Sequence, residues 1–567
     1  MKKQKPKASA VENRAAIAAP SKPILWWPWA AALAAVIVAF EAYGPALNSA
    51  FVFDDRILPF MTPGIERKPW TDWLGATRPL LMLSFWIDFS RSGLEAGNYH
   101  ITNLLLHLGN SFWVALISAR LCSWAGVENK KRNILAVFSG ALFLLHPLQT
   151  ESVTYVASRS EALSIFFFYS AFAVFLYRDE IGMTLPRTLA ILALFGAAAV
   201  TKEHTVVLPA LIVFADYFWR RGGVRKNIIL YGTLAIAGAL AGAFVLKVLT
   251  GSGTAGFHVA GRTPMTYFYT QCRVIWTYIR LFFVPVGQNL DPDVDLSTTL
   301  FDRGAIFGLL GFIGLLAAAW FFRKRFPLAS FGAVTFLLLL VPTSSFVPIF
   351  DVQAEHRMYL PFLGLTLVAV EALRRLEMKQ IAGIGAALLA ICTVLTYQRN
   401  QVWATPVTLW QDTVAKSPKK WRPLFQLGYA YYEAGRCQEA AQSYEAAAAT
   451  GTQTYELLSD WTIALDCAGR ASDAIPKMKE ALRFESSAHG HAVLGSLYAK
   501  TGKREEALTE LQLAQNLDPA FEMTYVYRGI VYELGGDKVA AAAEYQHALR
   551  INPSNQAARD ALARATR

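Results

Sequence analysis

Charged side chains are scarce: they make up 17% of the 567 residues, against roughly a quarter in an ordinary soluble domain. So few cannot cover a protein of this size with water-compatible surface, which excludes a wholly soluble fold. Several catalytic signatures are also missing. No Walker-type phosphate loop, HExxH or GxSxG occurs, which argues against ATP-driven transport, metalloprotease and serine-hydrolase chemistry. The five cysteines (Cys122, Cys272, Cys392, Cys437, Cys467) show no CxxC spacing, so neither a zinc site nor a redox pair is indicated. Cys437 and Cys467 would pair if their part of the chain faces an oxidising compartment; two free thiols are the alternative.

What is present is apolar. Hydrophobic residues are 54% of the chain and mean hydropathy is +0.31, the composition of an integral membrane protein with more than one domain. Net charge is +12, with much of the basic excess in short clusters beside apolar runs: Lys2, Lys3, Lys5 and Lys7; Lys130, Lys131 and Arg132; Arg220, Arg221, Arg225 and Lys226; Arg323, Lys324 and Arg325. These read as cytoplasmic anchors, not as a nucleic-acid surface.

The first apolar run, Ile24 to about Phe40, follows a basic leader (1–23) and exceeds the h-region of a cleaved signal peptide. It reads as a retained anchor with the N-terminus in the cytoplasm. Further spans are predicted near 100–121, 133–148, 161–177, 187–201, 205–219, 227–249, 303–322, 328–342, 357–373 and 381–397, about eleven in all. The stretch 266–284 carries Arg273 and Arg280, expensive in lipid unless paired, and is read as non-spanning or re-entrant. With that choice every basic cluster falls inside. The loops at 41–99, 149–160, 201–204, 251–302 and 343–356, and everything after 397, then lie outside.

From about residue 402 the pattern changes. Gly435, Gly469, Gly502 and Gly536 recur at intervals of 34, 33 and 34, and Gly428, Gly495 and Gly529 stand seven positions before three of them. That period predicts about four tetratricopeptide (TPR) helix pairs, a solenoid whose concave face grips a peptide or partner protein, or else a purely structural stack. The fold class is therefore all-α: a polytopic helix bundle over 24–397 followed by a TPR solenoid over 402–567.

Polar residues inside such a body are costly and mark function. Asp54 and Asp55 adjoin the outer end of the first span, where a carboxylate can act as general base on a hydroxyl or help hold a metal, or can be a solvated acidic turn. Arg78 precedes an amphipathic stretch and can bind a lipid phosphate bidentately or snorkel to headgroups. His100 and His107 share one helix face. His146-Pro147 leads into Gln149-Thr150-Glu151 and Arg159-Ser160-Glu161, a polar loop between apolar spans that must line a cavity. Lys202-Glu203-His204 caps a hairpin, a polar tip or a phosphate-facing lysine. Glu355-His356-Arg357 with Tyr359 stands at the mouth of a late span, with Arg357 as phosphate ligand and Tyr359 its hydrogen-bonding neighbour. Asp291, Asp293 and Asp295 in DPDVD lack the glycine and distal glutamate of a calcium loop and read as a solvated loop.

Together FVFDDR, RPLLMLSF, YHITNLLLH, LFLLHPLQTESVTYVASRSE, TKEHTVVLPALIVFADYF and AEHRMYLPFLG, spread over residues 51–363 and followed by the repeats, resemble the transmembrane and tetratricopeptide-repeat O-mannosyltransferases and their bacterial relatives, within the GT-C superfamily. The resemblance implies a GT-C fold whose catalytic loop (41–99) lies outside the membrane, with a polyprenyl-phosphate sugar as donor, inversion at the anomeric carbon and no metal or other cofactor. It places the family's acidic pair on Asp54 and Asp55, one of them the base. The family's arginine before Pro-Leu falls on Arg78, its His-Pro on His146 and Pro147, its Lys-Glu on Lys202 and Glu203, and its late glutamate on Glu355. Glu151, Arg159, His356, Arg357 and Tyr359 complete the expected donor site. One departure is Ser-Arg-Ser-Glu, ending at Glu161, where relatives often carry Gly-Arg-Ala-Asp.

The implied reaction transfers mannose or another hexose to hydroxyls of a protein held by the repeats. Transfer to a glycolipid or polysaccharide, and a non-enzymatic scaffold that merely anchors the repeats, are the competing readings. The basic leader and few cysteines point to a bacterial inner membrane, with the repeats in the periplasm.

Overall fold

The computed structural model describes residues 27–178, 183–219 and 227–566, and these are helical almost throughout; one antiparallel bridge, Ala255 to Ile349, is the only strand-like feature among them. The leader at 1–23 and the cluster at 220–226 fall outside the described residues. The body contains α1 (Trp27–Tyr43), α2 (Trp70–Trp73), α3 (Pro79–Ser92), α4 (Ala96–Trp124), α5 (Asn129–Leu145), α6 (Thr150–Thr154), α7 (Arg159–Leu176), α8 (Leu185–Ala199), α9 (Leu208–Trp219), α10 (Ile228–Gly251), α11 (Pro264–Phe283), α12 (Ala305–Phe321), α13 (Pro327–Leu340), α14 (Phe362–Leu373) and α15 (Met378–Val402). After α16 (Pro406–Lys416) come the pairs α17 (Trp421–Glu433) and α18 (Cys437–Ala449), α19 (Tyr455–Cys467) and α20 (Ala471–Phe484), α21 (Ala488–Lys500) and α22 (Arg504–Leu517), and α23 (Glu522–Leu534) and α24 (Lys538–Ile551), closed by α25 (Gln556–Ala565).

All eleven apolar stretches form helices where they are described, but fewer meet the demands of a bilayer core about 30 Å thick. Five are long and apolar enough: Ala96–Trp124, Val156–Leu176, Ile228–Gly251, Asp302–Phe321 and Met378–Val402. A sixth arises if Asn129–Leu145 and Pro147–Thr154, bent by 50°, count as one span. Others are shorter, because polar loops take residues from their ends. The late span begins helically only at Phe362, since Glu355–Met358 is a 3₁₀ turn. Burial shows which solvent the body needs. Only 11% of the most apolar window of α10 is buried, and 17% for the helix ending at Phe321. Large side chains such as Ile229, Ile236, Leu240, Phe307 and Phe321 stand exposed on these helices, an arrangement stable in hydrocarbon and not in water.

Inside the body the backbones pack closely. A Cβ on Gly332 would meet the carbonyl oxygen of Gly364 at 2.3 Å, and one on Gly364 would meet that of Gly332 at 2.5 Å, so α13 and α14 touch through their main chains as small residues permit in membrane bundles. In α11, Arg273 donates to the carbonyl of Asp295 and to Ser297 Oγ, both at 3.1 Å, and Arg280 to the carbonyl of Val286 at 3.0 Å. Both arginines thus find partners in the loop that follows.

The repeats pack through a recurring fit. Gly428, Gly495 and Gly529 lie against Tyr444, Leu511 and Tyr545, where an added Cβ would stand 2.9, 2.7 and 2.5 Å away. In the second pair the same register holds Thr462 and Met478, so a larger residue on the first helix accompanies a thinner, flexible one on the second. Cys437 and Cys467, at corresponding ends of neighbouring pairs, form a disulfide with Cα atoms 5.6 Å apart.

Candidate active site

Asp54 and Asp55 lie in a 3₁₀ turn, Phe53–Ile57, just outside α1, and the fold gives them different work. Asp55 is wholly buried. Its two oxygens accept the backbone N–H of Val52 at 3.1 Å and of Ala157 at 2.7 Å, clamping the first loop to the 156–158 turn. Burial pushes its carboxyl up to about 7, against the pull of those N–H groups. Asp54 is exposed, and among the described residues its carboxylate is not captured by backbone donors. Its own N–H donates to Tyr155 Oη at 2.8 Å. Desolvation by the surrounding protein still raises it above the ordinary carboxylate range, opposed by Tyr155, Arg422 and His356. Of the pair, Asp54 is the carboxylate open to solvent.

Three further polar clusters hold most of the other expected residues. Lys202 donates to Glu161 Oε1 at 2.6 Å and to Ser160 Oγ at 3.1 Å, and His204 lies 3.3 Å from the other oxygen of Glu161. Burial holds His204 neutral, down to about 4. Ser160 and Glu161, two of the three residues at which Ser-Arg-Ser-Glu differs from Gly-Arg-Ala-Asp, are both ligands of Lys202. Arg78, 36% exposed, forms a bidentate pair with Glu203 at 2.9 and 2.7 Å, which holds Glu203 below the usual glutamate range despite burial. His356, 28% exposed, meets Glu151 Oε1 at 2.5 Å, while Glu151 Oε2 accepts the N–H of Glu355 at 3.1 Å. His356 lies within electrostatic reach of both Asp54 and Glu161. His356 thus stands between the acidic turn and the Lys202–Glu161 cluster.

Glu355 adjoins His356 in the chain. Its carboxylate is buried, accepts the N–H of Asn289 at 2.6 Å and Gln288 Nε2 at 3.0 Å, and is pushed up to about 7 by burial.

Four other expected residues are committed elsewhere. Arg159 is completely buried, paired with Asp88 at 2.6 Å and bonded to Asn103, Ser84 and Tyr99. His146 has both ring nitrogens engaged, with the carbonyl of Phe282 at 3.0 Å and the N–H of Leu148 at 3.2 Å. Tyr359 sits in the core, its hydroxyl shared by His107 at 2.8 Å and Asn110 at 3.0 Å. Arg357 donates to Tyr267 Oη and the carbonyls of Val352 and Asp351. Among the described residues none of the four touches the Lys202–Glu161 pair.

DPDVD corrects a further expectation. Asp291 is not solvated but 4% exposed, gripped by Lys420 at 2.6 Å and by Arg422, whose Nε stands 2.7 Å from Oδ2. Asp295 pairs with Arg303, and no metal-binding trio of His, Cys, Asp or Glu is present among the described residues. Two contributors escaped sequence reading. Tyr155 carries no charge to mark it, and Arg422 sits in the repeat half, far in sequence from the residues it meets.

The chain is 23% identical to human protein O-mannosyl-transferase TMTC3 over 548 residues, covering 84% of this chain and 58% of that protein. It is 24% identical to Drosophila melanogaster Tmtc3, over 80% and 58%, and 22% identical to Caenorhabditis elegans protein O-mannosyl-transferase F38B6.6, over 65% and 52%. These relatives are protein O-mannosyl-transferases. The chain spans about half the length of each of the three. A tetratricopeptide-repeat model matches residues 488–521. Among solved structures, the TPR protein YrrB, described as having an unusual peptide-binding site, is 18% identical, covering 31% of this chain and 88% of that one with a TM-score of 0.25.

Proposed function

We propose that this chain is an integral membrane glycosyltransferase that moves a sugar, mannose or another hexose, from a polyprenyl phosphate to hydroxyls of protein acceptors outside the membrane. The observation that carries the reading is the division of labour in the acidic pair. One carboxylate is locked to the backbone, and the other is exposed beside Tyr155, with His356 and Arg422 in electrostatic reach.

In the proposed reaction the acceptor hydroxyl gives its proton to Asp54 as its oxygen attacks the anomeric carbon from the face opposite the phosphate. The glycosidic bond forms, the sugar–phosphate bond breaks, and the electron pair leaves on the lipid phosphate. Lys202, and the N–H groups of Arg78 not engaged by Glu203, stabilise that charge at the bilayer surface. The reaction so written calls for no metal or cofactor. The repeats hold the acceptor, which supplies proximity. An external placement is supported by the Cys437–Cys467 disulfide, since such bonds persist in oxidising compartments, and in a bacterium this is the periplasm.

The test is mass spectrometry of external proteins from cells with and without the chain. The reading expects Ser/Thr-linked hexose to disappear from defined proteins and to return with wild type but not Asp54→Asn. Unchanged proteins with an altered glycolipid or polysaccharide would overturn the protein acceptor. Rescue by the repeats on an unrelated membrane anchor would overturn the enzyme.

A further inference from the structure

The repeats reach the acidic turn itself. Phe53, the residue before Asp54, is one of two described non-glycine residues with positive φ, at 48°, a left-handed conformation that L side chains adopt only when neighbours enforce it. The body pins the backbone on either side of Phe53 through Asp55 and Tyr155, and the soluble half holds its ring. The Phe53 ring packs edge-on against Trp410 of α16 at 5.7 Å, with the Arg422 guanidinium of α17 5.5 Å above it. Arg422 is in turn held by Asp291 and, at 2.7 Å, by Asp351, two acids from different external loops. On the other side of the turn, Arg56 lies over the ring of Tyr429 at 4.3 Å.

We infer that the first repeat completes the active site, with Arg422 as a positioning residue that clamps Phe53 in its left-handed conformation and so sets the direction and ionisation of Asp54. The inference rests on the proposed role of Asp54. The groups facing that carboxylate are Tyr155, Arg422, Asp351, His356 and its neighbour Asp55, and of the two cationic or potentially cationic ones only Arg422 comes from a repeat. Tyr429, in the second half of the solenoid's first helix, lies beside Arg56, two residues past Asp54, so an acceptor lying along that helix would be delivered onto the base. The same contacts make the clamp depend on how the repeats sit.

The experiment compares full-length wild type with Arg422→Gln, Arg422→Lys and Phe53→Gly. Hydrogen exchange is read over residues 51–58 and over α19 to α24, alongside turnover, donor KM and the pH dependence of turnover. Arg422→Gln is expected to speed exchange at 51–58 about tenfold while the later repeats stay protected. It should lower turnover about tenfold with little change in donor KM, and move the acid limb to higher pH because a cation near Asp54 is gone. Arg422→Lys should restore the acid limb and part of the turnover, and Phe53→Gly should free the turn without disturbing the repeats. Wild-type exchange at 51–58 in Arg422→Gln, or lost turnover with an unmoved acid limb, would overturn the inference. Wild type that transfers no sugar would instead contradict the proposed function, leaving the exchange measurement to decide the clamp.

Discussion

Two adjacent aspartates are indistinguishable in sequence, and tertiary contact separates them. What decides is the approach of Ala157, 102 positions away, whose N–H reaches Asp55. Replacing Asp55 by alanine orphans two buried N–H groups, at roughly 1–3 kcal/mol each. Reduced thermal stability, measured in detergent, is the expected result even though the base is intact. The pH dependence has a definite sign. Asp55 and Glu355 both have folded values near 7, above their unfolded values, so each contributes stability that is present at low pH and is lost as pH rises through about 7. His204 acts oppositely: its folded value is near 4, so its contribution is present above its unfolded value and falls away as pH drops from there towards 4. Wild type should therefore gain melting temperature as pH falls from about 7 towards the ordinary carboxylate range, and Asp55→Asn combined with Glu355→Gln should lose that slope. A steeper slope in the double variant would contradict the assignment. The ion pairs were equally hidden. Arg78, Lys202 and Glu203 can be picked out by residue type, but Arg78 meets Glu203 across 125 positions, and periodicity carries no information about such a meeting.

At the scale of elements the sequence is more informative, because helices and repeats are written in local pattern. Every apolar stretch became a helix where described, and the spacing of Gly435, Gly469, Gly502 and Gly536 located the turns of the solenoid. What pattern missed was length: polar segments such as 201–204 and 343–356 shorten their flanking helices, because the chain must fold these groups inward to satisfy them. Repeat packing makes a sharp prediction. Gly529→Ala drives a methyl to within 2.5 Å of the Tyr545 ring and should destabilise the last repeats by about 1–3 kcal/mol. Phe53 contacts should be unaffected, as exchange at 51–58 would show. The Cys437–Cys467 bond, closing a separation of 30 residues, should contribute on the order of 2–4 kcal/mol to the repeats. Thiol labelling should reach these cysteines only after reduction, and melting temperature should fall with it. Ready labelling before reduction would contradict both the bond and an oxidising location.

For the whole molecule, the body and the solenoid are not independent modules on a string. Lys416, Ser417, Lys420 and Arg422 bind the 288–293 loop or Asp351, and Trp410 and Tyr429 touch the first loop. Composition showed two solvents and a boundary near residue 402, yet nothing in either half's pattern announced that they share a site. Under the proposed function, these contacts would bring the acceptor held by the repeats and the lipid donor together at Asp54. The most direct measurement is the initial rate of sugar transfer from polyprenyl-phosphate mannose to a Ser/Thr peptide by purified, folded protein. Asp54→Asn should lose on the order of 10²–10⁴-fold in turnover, with Asp55→Asn impaired mainly through stability. Transfer by Asp54→Asn at the wild-type rate would contradict the account.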